Sequence, residues 1–326
     1  MVEPVIEYPG DITCIDTEQV RPGMACCYLL RGGGERYALV ECGTSLSAPA
    51  VLAVLERKGV AREQVAYVVP THVHLDHAGG AGMLMRHLPR ARLLVHPRGA
   101  RHLVDPARLI EGTIGVYGPA RTAAMYGEIV PVPEARVTAV ADGFALDFDG
   151  RLLRFIDAPG HARHHFVVWD ARTRGLFSGD TFGISYRDTD GAQGPFVIPT
   201  TTPVQFDPQA WLATVERLLA LRPECAYLTH YGRVAPVQRL AADLKRGIEA
   251  YVRLAQQHAD APRRTQALVE ALTGFSLREM RALHCPMPEA QARDFLEMDM
   301  RLNAQGLEVW LEQGRAGRSG ARPNAG

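Results

Sequence analysis

The sequence predicts a mixed α/β (α+β) fold, two packed sheets with helices outside them, followed by an all-helical appendix. Three observations predict it. Apolar runs of strand length alternate with longer helical patterns across the first two-thirds of the chain. The strand signals fall into two groups separated by a helical stretch. From Val237 onward they vanish and helical spacing alone is left.

The elements follow in order. Ile12–Asp16, Met24–Arg31 and Arg36–Glu41 read as strands, with Gly32-Gly33-Gly34 as a turn between the last two. Leu46–Arg57 has helical spacing in Leu52, Val54 and Leu55. Val65–Val69 is a short apolar strand running into Pro70-Thr71-His72. A helix follows over Gly79–Leu88, a strand over Arg92–His96, and a mostly helical stretch over Asp105–Gly127. The second strand group is Val137–Val140, Phe144–Phe148, Leu152–Asp157, His165–Trp169 and Gly175–Ser178. Gly183–Pro203 has little periodicity, and loops of that length are functional or mobile. Pro208–Leu221 is a helix and Cys225–Thr229 a last strand ending at His230. Leu240–Gln257, Thr265–Leu272, Ser276–Leu283 and Pro288–Glu312 read as helices, with Gly274-Phe275-Ser276 as a stop and N-cap. The organisation predicted is a catalytic domain over 1–235, a helical extension over 236–313, and a disordered tail over 314–326.

Composition narrows the function classes. Apolar residues are 47% of the chain, enough for a full core and too many for global disorder. Lys+Arg and Asp+Glu both number 36, and no basic tract stands out, which argues against a nucleic-acid partner. The six cysteines form no C-x-x-C pair and read as reduced thiols of a cytoplasmic protein. The N-terminus lacks the pattern of a signal peptide, and no run of 18 apolar residues predicts a membrane span.

The chemistry concentrates in Thr71-His72-Val73-His74-Leu75-Asp76-His77, directly after an apolar strand. His72 and His74 alternate, so both face one way while Val73 and Leu75 face the core. Asp76 and His77, at the turn, reach a second point nearby. Imidazole and carboxylate are ligands for zinc, iron, manganese or cobalt. Three later strand ends offer more candidates: Asp157-Ala158-Pro159-Gly160-His161, Phe177-Ser178-Gly179-Asp180 and Leu228-Thr229-His230-Tyr231-Gly232.

These motifs resemble the metallo-β-lactamase-fold hydrolases, in particular the branch with glyoxalase II and the quorum-signal lactonases. The resemblance rests on T-H-V-H-L-D-H, P-G-H-A-R-H-H, F-S-G-D and T-H-Y-G, and spans residues 10–235. It implies an αββα sandwich and two divalent metal ions, zinc first, with iron or manganese as alternatives. His72, His74 and His161 would bind the first ion, and Asp76, His77 and His230 the second. Asp180 would bridge the two, with a hydroxide as the other bridge. The implied function is hydrolysis of a thioester, ester or lactone of a small molecule, with Asp76 and Asp180 as catalytic residues. The alternatives are a mononuclear-iron persulfide dioxygenase and a regulatory or binding protein with weak thioesterase activity. Antibiotic cleavage is disfavoured, because the second set has no ligand cysteine and no export signal precedes it.

Two departures from the family pattern stand out. His164 replaces a glycine in the usual G-H-T-x-G-H, while His165 keeps the spacing of its second histidine. Glu41-Cys42-Gly43 replaces the usual D-T-G, so Glu41 is expected to orient a metal ligand. For substrate contacts the sequence offers Tyr186 on the 183–203 loop, Tyr231 after His230, and Arg163 for an anionic group. The apolar stripe of the appendix, including Phe295, Leu296, Leu307 and Trp310, suits packing on the core, a homodimer interface, or a cap over the active site.

Overall fold

In the computed structural model, which describes residues 5–320, the chain separates into two compact units. The first holds the chain up to Ala158, with His164–Asp180 and Arg222–Val237. The second holds Pro159–Arg163, Thr181–Leu221 and the chain from Gln238.

The first unit contains both sheets. One is seven-stranded: β1 (Val5–Tyr8), β2 (Ile12–Asp16), β3 (Cys26–Arg31), β4 (Tyr37–Val40), β5 (Val65–Val69), β6 (Arg92–Val95) and β7 (Val137–Ala139), side by side in chain order. The other is six-stranded, in the order β13 (Gly232–Val234), β12 (Cys225–Leu228), β11 (Gly175–Gly179), β10 (Phe166–Asp170), β9 (Arg151–Asp157) and β8 (Ala145–Phe148). Pairing is antiparallel from β1 to β4 and parallel from β4 to β7. Parallel neighbours need crossovers, which put helices on the sheet's outer face. Those helices are α1 (Ala48–Arg57), α2 (Leu75–Ala78), α3 (Ala81–His87), α4 (Pro97–Val104), α5 (Ala107–Tyr117) and α6 (Pro119–Tyr126).

Strand alternation sorts the core into two layers. Cys14, Cys26, Tyr28, Leu30 and Val40 face Phe155, Phe166, Val168, Phe177 and Tyr227 of the second sheet. Their chain neighbours Ile15, Cys27, Leu29 and Leu39 turn the other way, among Val51, Leu55, Leu84 and Leu103 of the helices. The adjacent cysteines 26 and 27 therefore lie in different layers. None of the six cysteines is in a disulfide, and five are buried.

The second unit carries α7 (Pro208–Leu219), α8 (Val237–Gln257), α9 (Arg264–Ala282) and α10 (Glu289–Gly320), with α8 beginning one residue before its boundary. The predicted break at Gly274-Phe275-Ser276 is absent, and α9 runs straight through. A glycine inside a helix costs roughly 1 kcal/mol against alanine. Burial of Leu272, Thr273, Ser276 and Leu277 on both sides offsets that. α10 continues past Gly314, where the sequence predicts a tail, to Gly320, and 321–326 lie outside the described residues.

The 183–203 loop is built into this unit. The Asn303 side chain accepts from the Thr201 amide at 2.6 Å and donates to the Pro199 carbonyl at 3.1 Å. At Gly306 a Cβ would come within 1.4 Å of the Thr201 carbonyl oxygen, so only glycine lets α10 approach this closely. The unit boundaries accordingly depart from a single cut at 235. Contacts far apart in sequence, Thr201 with Asn303 above all, tie the loop to the C-terminal helices. Among the described residues no helix is long and apolar enough to cross a membrane.

Candidate metal centre

The site lies where strands of both sheets of the first unit end. β5 delivers Thr71 and His72, the one-turn α2 carries Asp76 and His77, β11 is followed by Asp180, and β12 by Thr229 and His230. Gly179 sits at φ 49°, and a Cβ there would meet Thr71 Oγ1 at 2.3 Å and the His165 ring at 2.7 Å. The F-S-G-D turn therefore needs its glycine to bring Asp180 inward.

Nitrogens and carboxylate oxygens converge. His72 Nε2 and His74 Nδ1 are 2.9 Å apart, their rings crossed at 78°. His77 Nε2 is 3.3 Å from Asp180 Oδ1 and 3.6 Å from Asp76 Oδ2. His230 Nε2 is 3.3 Å from Asp76 Oδ2. Two triads, His72–His77–Asp180 and Asp76–His77–His230, each keep their ligand atoms within 4.8 Å of one another. The rings are held from behind. His230 Nδ1 donates to the Met24 carbonyl at 2.7 Å, and His77 Nδ1 donates to Glu41 Oε1 at 2.9 Å. Such bonds fix which ring nitrogen faces the site.

Glu41 takes the orienting task its place in the sequence predicts. It is 1% exposed, with φ 68°. Besides His77, it accepts from the Thr71 amide at 3.0 Å, the Thr71 hydroxyl at 2.6 Å and the Thr229 hydroxyl at 2.8 Å. One carboxylate thus joins the ends of β4, β5 and β12.

The electrostatics suit a cation. Burial disfavours the imidazolium of His77, but Asp180, Asp76 and Glu41 outweigh it and raise the pKa well above the ordinary value. Burial likewise opposes His230, yet the hydrogen bond to Asp76 and the charge of Asp180 push it up to about 9. Asp76 is shifted the other way. Its burial favours the neutral acid, but His77 and His230 hold the carboxyl well below its usual range. His77 Nε2 is buried, faces two carboxylates and makes no hydrogen bond. Nitrogen and oxygen donors around such an atom fit a divalent cation, whose binding releases the protons these groups attract.

His161 belongs to the second unit, where its Nδ1 donates to the Thr200 carbonyl at 2.8 Å. Its turn is held by Gly160, at φ 140°, where a Cβ would strike the Trp211 side chain at 2.3 Å. The Thr214 hydroxyl donates to the Pro159 carbonyl at 2.8 Å. His165 Nε2 accepts from the Asp180 amide at 3.3 Å, and its ring stacks on His72 at 4.6 Å.

The predicted substrate contacts fare differently. Tyr186 is 2% exposed in the second unit, its hydroxyl 3.3 Å from Asp299 Oδ1 and its ring edge-on to Phe295. Tyr231 is a buried member of the inter-sheet core, its hydroxyl 3.5 Å from Asp16 Oδ2. Both sit in packing. Arg163 is exposed and borders a cavity of about 400 Å³ in the second unit, with Phe206 and Trp310. Sequence reasoning missed Tyr126, at the end of α6. Burial first, then the Asp76 carboxylate, raises its phenol pKa, so it stays a hydroxyl donor in the field of the site. Nothing local in the sequence marks it, because Tyr126 lies 50 residues from Asp76.

Residues 20–230 match the family profile of the metallo-beta-lactamase superfamily. The chain belongs to that superfamily. Its members are mostly hydrolases. A metallo-beta-lactamase fold-containing protein of Sulfurisphaera tokodaii is 30% identical over 178 residues, 53% of this chain and 63% of its own. A hydroxyacylglutathione hydrolase of a Synechococcus strain is 29% identical over 128 residues, 39% of each chain. This chain thus spans less than two-thirds of the length of either relative. Among solved structures, an archaeal superfamily protein from Sulfolobus tokodaii aligns with TM-score 0.62 at 24% identity, covering 88% of this chain and 93% of that one. A metallo-beta-lactamase family protein from Thermus thermophilus aligns with TM-score 0.63 at 22% identity, covering 95% and 92%. At those identities the likeness shows the shared fold.

Proposed function

We propose that the protein is a dinuclear metal-dependent hydrolase that cleaves a thioester, ester or lactone of a small molecule. His72, His74 and His161 would hold the first ion and Asp76, His77 and His230 the second, with Asp180 between them. The observation that carries the reading is His77 Nε2, buried against two carboxylates without a hydrogen bond. Bound there, two cations supply an activated water and an electrophile for the substrate carbonyl.

The protein's own groups divide the remaining work. Glu41, His165 and the Met24 carbonyl orient the donors. Asp76 is the carboxylate nearest the mouth, its side chain 25% exposed against 7% for Asp180 and 0% for His77. It can exchange a proton at Oδ2 with the reacting groups. A thiolate leaves without protonation, whereas the alkoxide of an opened lactone needs that proton.

The test is a panel of acyl thioesters, esters and lactones, run with metal-loaded, chelated and reloaded protein. At least one substrate should turn over, fall to background on chelation and recover on reloading. Flat traces throughout, from protein carrying two ions, would overturn the hydrolase reading. A single iron per chain with oxygen uptake on glutathione persulfide would replace it with the dioxygenase.

A further inference from the structure

We infer that His164 is a positioning residue for the first metal ion, bracing the loop that carries His72 and His74. The inference rests on the metal assignment proposed above.

His164 is 7% exposed, although it stands where the family pattern has glycine. A buried imidazole must bond both ring nitrogens or lose the hydration it had in the unfolded chain. Its Nδ1 lies 3.4 Å from the Val73 amide, placed to accept from it. Val73 is the residue between His72 and His74, so this contact acts on the backbone that aims both rings. The His164 ring lies nearly parallel to His72, at 12° and 6.1 Å between centroids, and edge-on to His74 at 5.6 Å. It therefore packs against both imidazoles.

A second contact backs the first. In α4, a Cβ at Gly99 would fall 2.7 Å from Val73 Cγ1 and 3.8 Å from His164 Cβ, so the helix rests on both. α4 is itself anchored at its first turn. His96 accepts from the Arg98 amide at 3.1 Å through Nδ1 and donates to Asp157 Oδ1 at 2.9 Å through Nε2. Asp157 ends β9, the strand that leads into the P-G-H turn. The 72–74 backbone is thus held between helix α4 and the His164 ring.

The consequence is selectivity between the two ions. Partners behind a ligand typically set metal affinity by 10–100-fold. Cobalt(II) titration, read by absorption, separates the ions when it is run on the parent and on H230A, in which the remaining ion reports the first site. In the H230A background, H164A should lower cobalt affinity at least about 10-fold. H164N, which keeps an acceptor near the Nδ1 position, should restore most of it. The second ion of H164A, titrated in an otherwise unchanged chain, should stay at its parent affinity. A parent that binds no cobalt would overturn the metal assignment, and this inference with it. A parent that loads two ions while H164A matches it would overturn this inference alone. Equal loss at both sites together with a lowered thermal midpoint would also overturn it, by reducing His164 to packing.

Discussion

The first unit buries charge at both ends of the second sheet's strands. At one end, Arg151 and Asp170 are both fully buried. Arg151 Nε and Nη2 reach the two Asp170 oxygens at 3.1 and 2.6 Å, and Nη1 donates to the carbonyls of Gly10 and Arg31 at 2.9 and 2.8 Å. The Thr173 hydroxyl adds a bond to Asp170 at 2.6 Å. At the other end, Asp76, His77, Asp180 and His230 crowd together and leave His77 Nε2 without a hydrogen bond. The first cluster is closed by the protein's own atoms. The second turns nitrogen and carboxylate donors toward one another in a set that could hold a metal ion. Burial of charge alone therefore marks no site, whereas converging metal-ligand types around a buried ring nitrogen without a hydrogen bond do.

Two substitutions sharpen the contrast. The larger effect belongs to the closed pair. R151A strands a buried carboxylate and should cost about 3–5 kcal/mol in urea unfolding. The ion count of the folded fraction should stay at the parent value. Replacing Asp170 as well, as R151M/D170L, should recover much of the loss. If R151A instead empties the metal centre, the two ends are coupled and the contrast fails. The smaller effect belongs to the open cluster. E41Q removes the charge behind His77 while keeping the side chain's size. It should weaken the second ion about 10–100-fold in chelator competition. An unchanged affinity would mean that Thr71 and Thr229 hold the loop without Glu41.

Much of the open cluster was legible because its chemistry is local. H-x-H-x-D-H is contiguous, and the other donors each follow an apolar strand, so strand ends could be read together. The Arg151–Asp170 pair was not legible. Its partners are 19 residues apart on two strands and carry no motif. The tyrosines show the same limit. Tyr186 and Tyr231 stand beside ligand motifs in sequence but point into packing, while Tyr126 comes from a helix with no motif. Most strands were legible to within a residue or two from apolar runs. The edge strands β1 and β13 were not: the half-exposed Val-Ile-Glu-Tyr of β1 shows little alternation, and β13 is only the three residues Gly232–Val234, after the strand read as the last. The continuity of α9 was hidden for another reason. A Cβ at Gly274 would meet only the tip of Arg278, at 3.6 Å, so the glycine itself packs on nothing, and the buried Leu272, Thr273, Ser276 and Leu277 beside it carry the helix through the local stop signal.

Metal content measured on the purified chain is the most direct test of the open cluster. Elemental analysis of the parent and of H77A, both confirmed folded by circular dichroism, should give two ions per chain for the parent and at most one for H77A. Calorimetric titration of stripped parent with zinc should show protons released on binding. A folded parent that carries no ions and takes up none on titration would contradict the account.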